Sequence, residues 1–246
     1  MKKLLALLVA LGGAGEIGAQ WVVAARVPAD AEWRSAAAYV RANYLPGDGI
    51  VFAPSWVDPI GRMHLGDLVP VEEAARPDRS RQGRIWEVSI RGAEHPEARG
   101  RVAESRIFGR VRVRRIERRA ATVLYDFSAS APGRRRVAEI DFAPYWCLHA
   151  APPDVLDFPD VPIGRRLALS GGIHDFQSRY QSDAPVTVEV LVDGKRIARE
   201  RFDNAGWRRV AIDTGKIAGR RAPVRFRISA DRPLARTFCF HAEVHE

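Results

Sequence analysis

The chain reads as α+β in two parts, a small α/β amino-terminal domain followed by an antiparallel β-sandwich of jelly-roll type. Three observations predict this. Apolar residues recur at three- and four-residue steps after Asp30; short apolar strands then alternate with helix-like stretches; and in the last third apolar residues fall at every second position. With 246 residues the chain is long enough for two small cores. At 46% hydrophobic and 28% charged it is not a disordered tail. The formal net charge of +9 is almost all arginine, since Lys2, Lys3, Lys195 and Lys216 are the only lysines.

The first element is an export segment. Lys2 and Lys3 precede an apolar run, Leu4 to Gly15, that Glu16 ends, and small residues follow. The run falls short of the roughly 20 residues that span a bilayer. Ile17 to Ala25 is again mostly apolar, so residues 1–25 are either a signal peptide or a retained anchor. Glu16 speaks against the anchor, because a mid-membrane carboxylate costs about 2.5–3.5 kcal/mol. Either way the expected location is periplasmic or extracytoplasmic. In an oxidising compartment Cys147 and Cys239 either pair or lie apart as buried thiols.

The α/β domain is expected over 30–127. Trp33, Ala36, Ala37, Tyr39, Val40 and Tyr44 make one face of a helix with Asp30 as N-cap, and Pro46-Gly47-Asp48-Gly49 ends it. Ile50–Ala53 and Arg84–Ile90 read as buried strands. Asp67–Ala75 is helix-like, and Glu94–Phe108 continues an α/β rhythm that suggests a small parallel sheet. Val111–Arg114, Thr122–Phe127 and Val137–Phe142 read as further strands. Residues 128–160 are expected to hold a strand and a linker, the linker marked by Pro152, Pro153, Pro159 and Pro162.

The sandwich is expected over 161–246. Val186, Val188, Val190 and Val192 share one face of a strand, and Asp193-Gly194 is a type I′ hairpin turn into Lys195–Phe202. Val224, Phe226 and Ile228 alternate with Arg225, Arg227 and Ser229, and Phe238, Phe240, Ala242 and Val244 repeat the pattern in the last strand.

Trp33-Arg34-Ser35-Ala36-Ala37 leading through Pro46-Gly47-Asp48 into Ile50-Val51-Phe52 carries a family likeness. Arg84–Ser89, Phe108–Val111 and Val123–Phe127 continue it. This stretch resembles the soluble region after the last membrane helix of bacterial polytopic glycosyltransferases of the dolichyl-phosphate-mannose–protein mannosyltransferase type. The resemblance covers residues 30–127 and implies an envelope location and a saccharide context. The family's catalytic carboxylate and lipid-phosphosugar site lie in its membrane part, which has no counterpart here, so no catalytic residue carries over. From about Pro162 the pattern is similar to jelly-roll carbohydrate-binding modules.

Two clusters stand out. Residues 76–136 hold 17 Arg against 7 Asp plus Glu. Within them Arg112, Arg114, Arg115, Arg118 and Arg119 are the candidate anion-binding strip, because guanidinium groups grip phosphate and carboxylate bidentately. The alternative is a solvated arginine face paired with scattered glutamates. Trp207 with Arg208 and Arg209 is a candidate sugar platform, with loop contacts from His174, Asp175, Phe176, Arg179 and Tyr180; the alternative for Trp207 is a core position.

His241, Glu243 and His245 share a strand face at a spacing that suits a metal, but at the chain terminus, and no metal or cofactor is expected. Asp157, Asp160 and Asp175 are the carboxylates from which a calcium site would have to be drawn, and Glu139 and Asp141 share a candidate strand face. No G-x-S-x-G, Walker A or H-E-x-x-H motif occurs. Nucleic acid is not expected as a partner, since aromatics are not interleaved with the arginines.

The sequence therefore favours a non-catalytic envelope accessory or carbohydrate-binding protein of glycosyltransferase-linked glycan metabolism. Its expected partners are an envelope glycan, a membrane glycosyltransferase or an anionic membrane surface. The alternatives are a carbohydrate-active hydrolase or transferase acting through a carboxylate such as Glu139 or Asp175, and a docking protein that uses the arginine face.

Overall fold

Helix α1 (Asp30–Asn43) buries Trp33, Ala36, Ala37 and Val40 on the expected face. In this computed structural model, residues 13, 15, 16, 18–21, 27–141, 143–174, 185–203, 206–232 and 236–246 are described. Residues 1–25, expected as an export segment, lie mostly outside them. Among the described residues no helix is long and apolar enough to cross a membrane. The chain forms two compact units, Met1–Gly66 with Arg84–Glu117, and Asp67–Gly83 with Arg118–Glu246.

In the first unit, Ala29 rather than Asp30 precedes the helix, and the Glu32 carboxylate accepts the Ala29 N–H at 3.0 Å. Asp30 instead pairs with Arg34 one turn on, at 2.7 Å. The turn after the helix is held by Asp48, whose Oδ2 accepts from the Leu45 N–H at 3.1 Å and the buried Trp86 indole at 2.9 Å. Strand β1 (Gly49–Ala53) pairs in parallel with β2 (Arg84–Ile90), and helix α2 (Asp58–Leu65) follows β1. β2 pairs antiparallel with β4 (Val111–Glu117), and β4 with β3 (Arg101–Phe108), giving the order β1-β2-β4-β3.

The sheet is therefore mixed, not parallel. Residues 101–108, expected in a helix–strand rhythm, are an edge strand. A strand with one free edge and charged residues on both faces shows no clean alternation in sequence. The helix-like stretch Asp67–Ala75 is helical only over α3 (Val71–Ala74), and it belongs to the second unit.

The second unit is a sandwich of two antiparallel sheets. One has the order β11-β10-β13-β8, built from Lys195–Phe202, Val186–Val192, Arg221–Ala230 and Asp154–Pro162. The other has the order β12-β9-β14-β7-β6, built from Arg208–Asp213, Arg166–Ile173, Phe238–His245, Ala143–Ala150 and Arg135–Ile140. A short β5 (Val123–Asp126) also pairs with β14, and α4 (Phe127–Ser130) follows it.

Alternate residues of both sheets meet in one core, where the rings of Phe226 on β13 and Phe240 on β14 stand 5.2 Å apart. The Asp193-Gly194 turn has both residues at positive φ, 50° and 73°, as a type I′ hairpin requires.

The stretch expected as a linker is structured. Asp154–Pro162 is β8, at the edge of its sheet, where proline costs no ladder hydrogen bond. Its pairing with β13 shifts register between Ala222 and Val224, opposite Pro159-Asp160. Sandwich strands therefore begin before residue 161, with β5 to β8. Glu139 and Asp141 do not share a strand face either: β6 ends at Ile140, and Asp141 turns at φ 52°.

Strand β14 is buried along its whole length. Phe238, Phe240, Ala242 and Val244 enter the sandwich core, while Cys239, His241, Glu243 and His245 point to the other side and are buried too. Cys239 is disulfide-bonded to Cys147 on β7, with Cα atoms 5.5 Å apart, an ordinary separation for a bridge.

Candidate functional site

Among the described residues, the buried polar face of β14 gathers the one cluster of metal-ligand type, Asp126, His241 and Glu243. Period-two geometry puts His241, Glu243 and His245 in a row. The Glu243 carboxylate sits between the two rings, with His241 Nε2 3.1 Å from Oε1 and His245 Nε2 2.9 Å from Oε2. From the segment that precedes β2, Arg81 reaches the same carboxylate, its Nε at 3.0 Å and an Nη at 2.7 Å from Oε1. That Nη also lies 2.8 Å from Asp126 Oδ2.

Burial by itself would raise the Glu243 pKa. The hydrogen bonds from His241 and His245, followed by the charges of His241 and Arg81, outweigh it and hold the carboxyl well below the usual range.

The ionised carboxylate fixes the proton positions around it. A carboxylate accepts only, so both Nε2 contacts are donated by the histidines. At His245 the remaining nitrogen, Nδ1, lies 3.0 Å from an Arg166 Nη, which can only donate. At His241 the remaining nitrogen lies 2.8 Å from the Ser128 hydroxyl. In neutral His241 that Nδ1 is a lone pair facing the serine O–H.

Ser128 is placed by the residue two before it. Asp126 ends β5 and caps α4, its Oδ1 accepting from the Ser128 N–H at 2.9 Å and the Ala129 N–H at 3.0 Å. An ordered chain Ser128–His241–Glu243–His245–Arg166 results, with Ser128, His241, Glu243 and His245 all buried.

A pocket of about 150 Å³ opens over one end of this chain. Ser128, His241, Glu243, Asp126 and Arg81 line it together with Glu72, Arg76, Asp78, Arg135 and Trp146. The Arg135 guanidinium lies 4.5 Å above the Trp146 ring, and among the described residues it has no carboxylate partner. Asp126, His241 and Glu243 bring ligand-type atoms within 4.8 Å of one another. The guanidinium of Arg81 already touches both carboxylates and supplies the positive charge a metal ion would bring, so the cluster reads as an ion-pair network.

The candidate sugar platform is elsewhere in the second unit. The Trp207 ring lies flat on Tyr145, 4.3 Å between centroids and 5° between planes, and its indole N–H donates to the Pro77 carbonyl at 3.1 Å. One face and the polar edge of Trp207 are thus engaged. Arg208 bonds Glu200 at 2.9 Å and Arg209 the Pro77 carbonyl at 3.2 Å. His174 is half-buried at the end of β9. Asp175, Phe176, Arg179 and Tyr180 lie outside the described residues.

The arginines do not form one free strip. In the first unit, Arg114 neutralises the fully buried Glu87, with Nε to Oε2 at 2.6 Å, and reaches Glu94 at 2.6 Å. Arg112 donates to the Ala93 carbonyl at 2.9 Å, and Arg115 lies 3.6 Å from Glu117 and 3.9 Å from Glu104. In the second unit Arg118 binds the carbonyls of Gln82 and Arg79, while Arg119 borders an open groove with Arg165, Arg166, His245 and Glu246. Of the calcium candidates, Asp157 pairs with Arg225 at 2.5 Å and Asp160 with Arg221 at 2.7 Å.

Sequence reasoning picked out the His241-Glu243-His245 row but not Ser128, which is 113 residues away and sits in no nucleophile motif. The available signal was Asp126-Phe127-Ser128, a capping carboxylate two residues before a hydroxyl at the end of a strand.

No protein-family model matches this chain, and no curated protein matches it. Solved structures that it is similar to include carbohydrate-binding modules. One holds the CBM51-2 and INT domains of Clostridium perfringens ZmpB, with TM-score 0.34 and 8% identity, over 65% of this chain and 32% of that one. A second is CBM51 of Clostridium perfringens GH95 in complex with methyl-galactose, with TM-score 0.32 and 12% identity, over 52% of this chain and 95% of that one. A third is CBM36 in complex with calcium and xylotriose, with TM-score 0.32 and 7% identity, over 50% of this chain and 98% of that one. The chain thus spans about a third of the first of these. Likenesses of this depth assign neither a ligand nor a site.

Proposed function

We propose that this chain is an extracytoplasmic carbohydrate-binding protein that seats one sugar unit of an envelope glycan in the pocket walled by Trp146. The observation that carries the reading is the composition of that pocket. Carboxylates, guanidinium groups and a hydroxyl converge in a concave site of about 150 Å³ beside one indole ring, one face of which the Arg135 guanidinium covers. A sugar ring presents hydroxyls at its rim and C–H groups on its faces, so it needs both donors and acceptors at the edge and an aromatic wall. A purely anionic ligand fits less well, because Glu72, Asp78, Asp126 and Glu243 offset Arg76, Arg81 and Arg135.

The Cys147–Cys239 bridge and the basic–apolar amino terminus support an oxidising, exported setting. The association with a membrane glycosyltransferase rests on the resemblance of residues 30–127 alone.

The test is a glycan array probed with the purified protein, followed by titration calorimetry on the saccharide retained best. Binding should weaken about tenfold or more in Trp146→Ala, the factor that 1.4 kcal/mol represents, and hold in Trp207→Phe. An array with no saccharide preference, or a preference that Trp146→Ala leaves intact, overturns the reading.

A further inference from the structure

We infer that Ser128, His241 and Glu243 form a nucleophile–base–orienter set that hydrolyses a carboxylic ester carried on the saccharide in this pocket. The inference deepens the carbohydrate-binding reading and rests on it for the nature of the alcohol; the ester chemistry rests on the geometry of the three side chains.

That geometry has the three parts such a set needs. The Ser128 hydroxyl lies 2.8 Å from His241 Nδ1, within reach for proton transfer. The other ring nitrogen is held 3.1 Å from the Glu243 carboxylate, which selects the tautomer with the proton on Nε2 and leaves Nδ1 free to accept. Glu243 is itself locked by Arg81 and His245, so it stays ionised and can stabilise the imidazolium that forms. The imidazole is used in the reverse sense of the usual serine-hydrolase arrangement, with Nδ1 toward the serine, but the roles are unchanged. A purely structural serine would suffice to cap the histidine, yet this one lines an open pocket.

Ester cleavage balances with water as the only co-reactant. Ser128 Oγ attacks the carbonyl carbon as its proton passes to His241 Nδ1. The carbon–oxygen bond to the sugar then breaks, and His241 returns the proton to the departing hydroxyl oxygen. Water attacks the acyl-serine, gives one proton to His241, and the free acid leaves as Ser128 Oγ takes that proton back. The Ser128 and Ala129 N–H groups are held by Asp126 and are not available to the oxyanion. Of the pocket's cations, Arg76 pairs with Glu73 and Arg81 with Glu243 and Asp126, which leaves Arg135, without a carboxylate partner among the described residues, as the one to support it.

The experiment uses the full chain with three probes. A fluorophosphonate should label Ser128, as read by peptide mass spectrometry. p-Nitrophenyl acetate and an O-acetylated xylo-oligosaccharide should each release acetate. Ser128→Ala and His241→Gln should each reduce acetate release by about a thousandfold or more. Glycan binding measured in parallel on the wild-type chain separates the two readings. Label and turnover without saccharide binding would remove the carbohydrate reading and leave a serine esterase. Saccharide binding with no label on Ser128 in the wild-type chain, or acetate release unchanged in Ser128→Ala, would overturn the ester inference and leave the binding site. The label needs no variant, so a misfolded mutant cannot hide the answer.

Discussion

The two sheets of the sandwich obey the same alternation and treat their outer faces in opposite ways. On β13 the outward residues Arg221, Arg225 and Arg227 are exposed and meet Asp160, Asp157 and Glu189 in water. On β14 the outward residues are Cys239, His241, Glu243 and His245, and all four are buried. The same period-two rule therefore gives a solvated ladder on one sheet and an enclosed polar network on the other. The difference is what lies on top. Residues 67–83, far from the sandwich strands in sequence, belong to this unit and bring Arg81 onto Glu243 and the Pro77 carbonyl onto Trp207. Exposed charge pairs contribute little to stability, whereas a buried charge stripped of its partners is costly.

The largest effect expected from this contrast is at Glu243. Glu243→Ala leaves Arg81 with Asp126 as its remaining carboxylate and two buried histidine donors without an acceptor, and it should lower unfolding free energy by about 3 kcal/mol in urea titration. A change below about 1 kcal/mol would mean that the network is no more consequential than the surface ladder. Next comes the bridge behind the same face. Its two cysteines are 92 residues apart, and Cys147→Ala with Cys239→Ala should cost about 3 kcal/mol, in the range seen when a native disulfide is removed. Unfolding measured with and without reductant checks this, since reductant should then affect the wild type alone.

The pH dependence sharpens the comparison. Glu243 has its folded pKa depressed, so its contribution is fully present above the unfolded glutamate value of about 4.3 and is lost as pH falls below it. Wild-type stability should drop between about pH 5 and pH 3 more steeply than that of Glu243→Gln. Parallel curves for the two proteins would show that the carboxylate is not held ionised by its neighbours.

Much of this was legible in the sequence and some was not, for separable reasons. The hairpin at Asp193-Gly194, the alternation of β13 and the apolar face of β14 are local signals, and local rules read them. Edge strands were harder. β8 hides behind its prolines, and β3 lacks a buried face on which to alternate.

The site itself was half visible. His241, Glu243 and His245 showed as a polar row, which by pattern alone belongs in solvent. That they are enclosed depends on residues 67–83 crossing into the second unit, a non-local event with no periodicity. Ser128 was invisible for the same reason. The arginine excess was visible as composition. Its placement was not, because it depends on carboxylates such as the buried Glu87 that strand pairing alone brings opposite Arg114.

Trp207 gives a smaller test of the same idea. Its indole covers Tyr145 beside the disulfide, so Trp207→Ala should cost about 2 kcal/mol, less than a fully buried tryptophan, while Trp207→Phe keeps the stacking and loses only the bond to Pro77. Thermal unfolding of both variants decides it; equal losses would put the weight on the hydrogen bond instead of the ring.

The smallest effect belongs to the opposite sheet and closes the contrast. Arg225 donates to both oxygens of Asp157, at 2.5 and 3.2 Å, a geometry as good as any on β14, yet both partners are exposed. If enclosure and not geometry sets the consequence of an ion pair, Arg225→Gln should leave the unfolding midpoint where it was and be insensitive to added salt, because water already solvates each charge. A clear loss of stability in Arg225→Gln, shrinking as salt is raised, would show that the outer ladder also holds the sandwich together, and the distinction drawn between the two faces would fail.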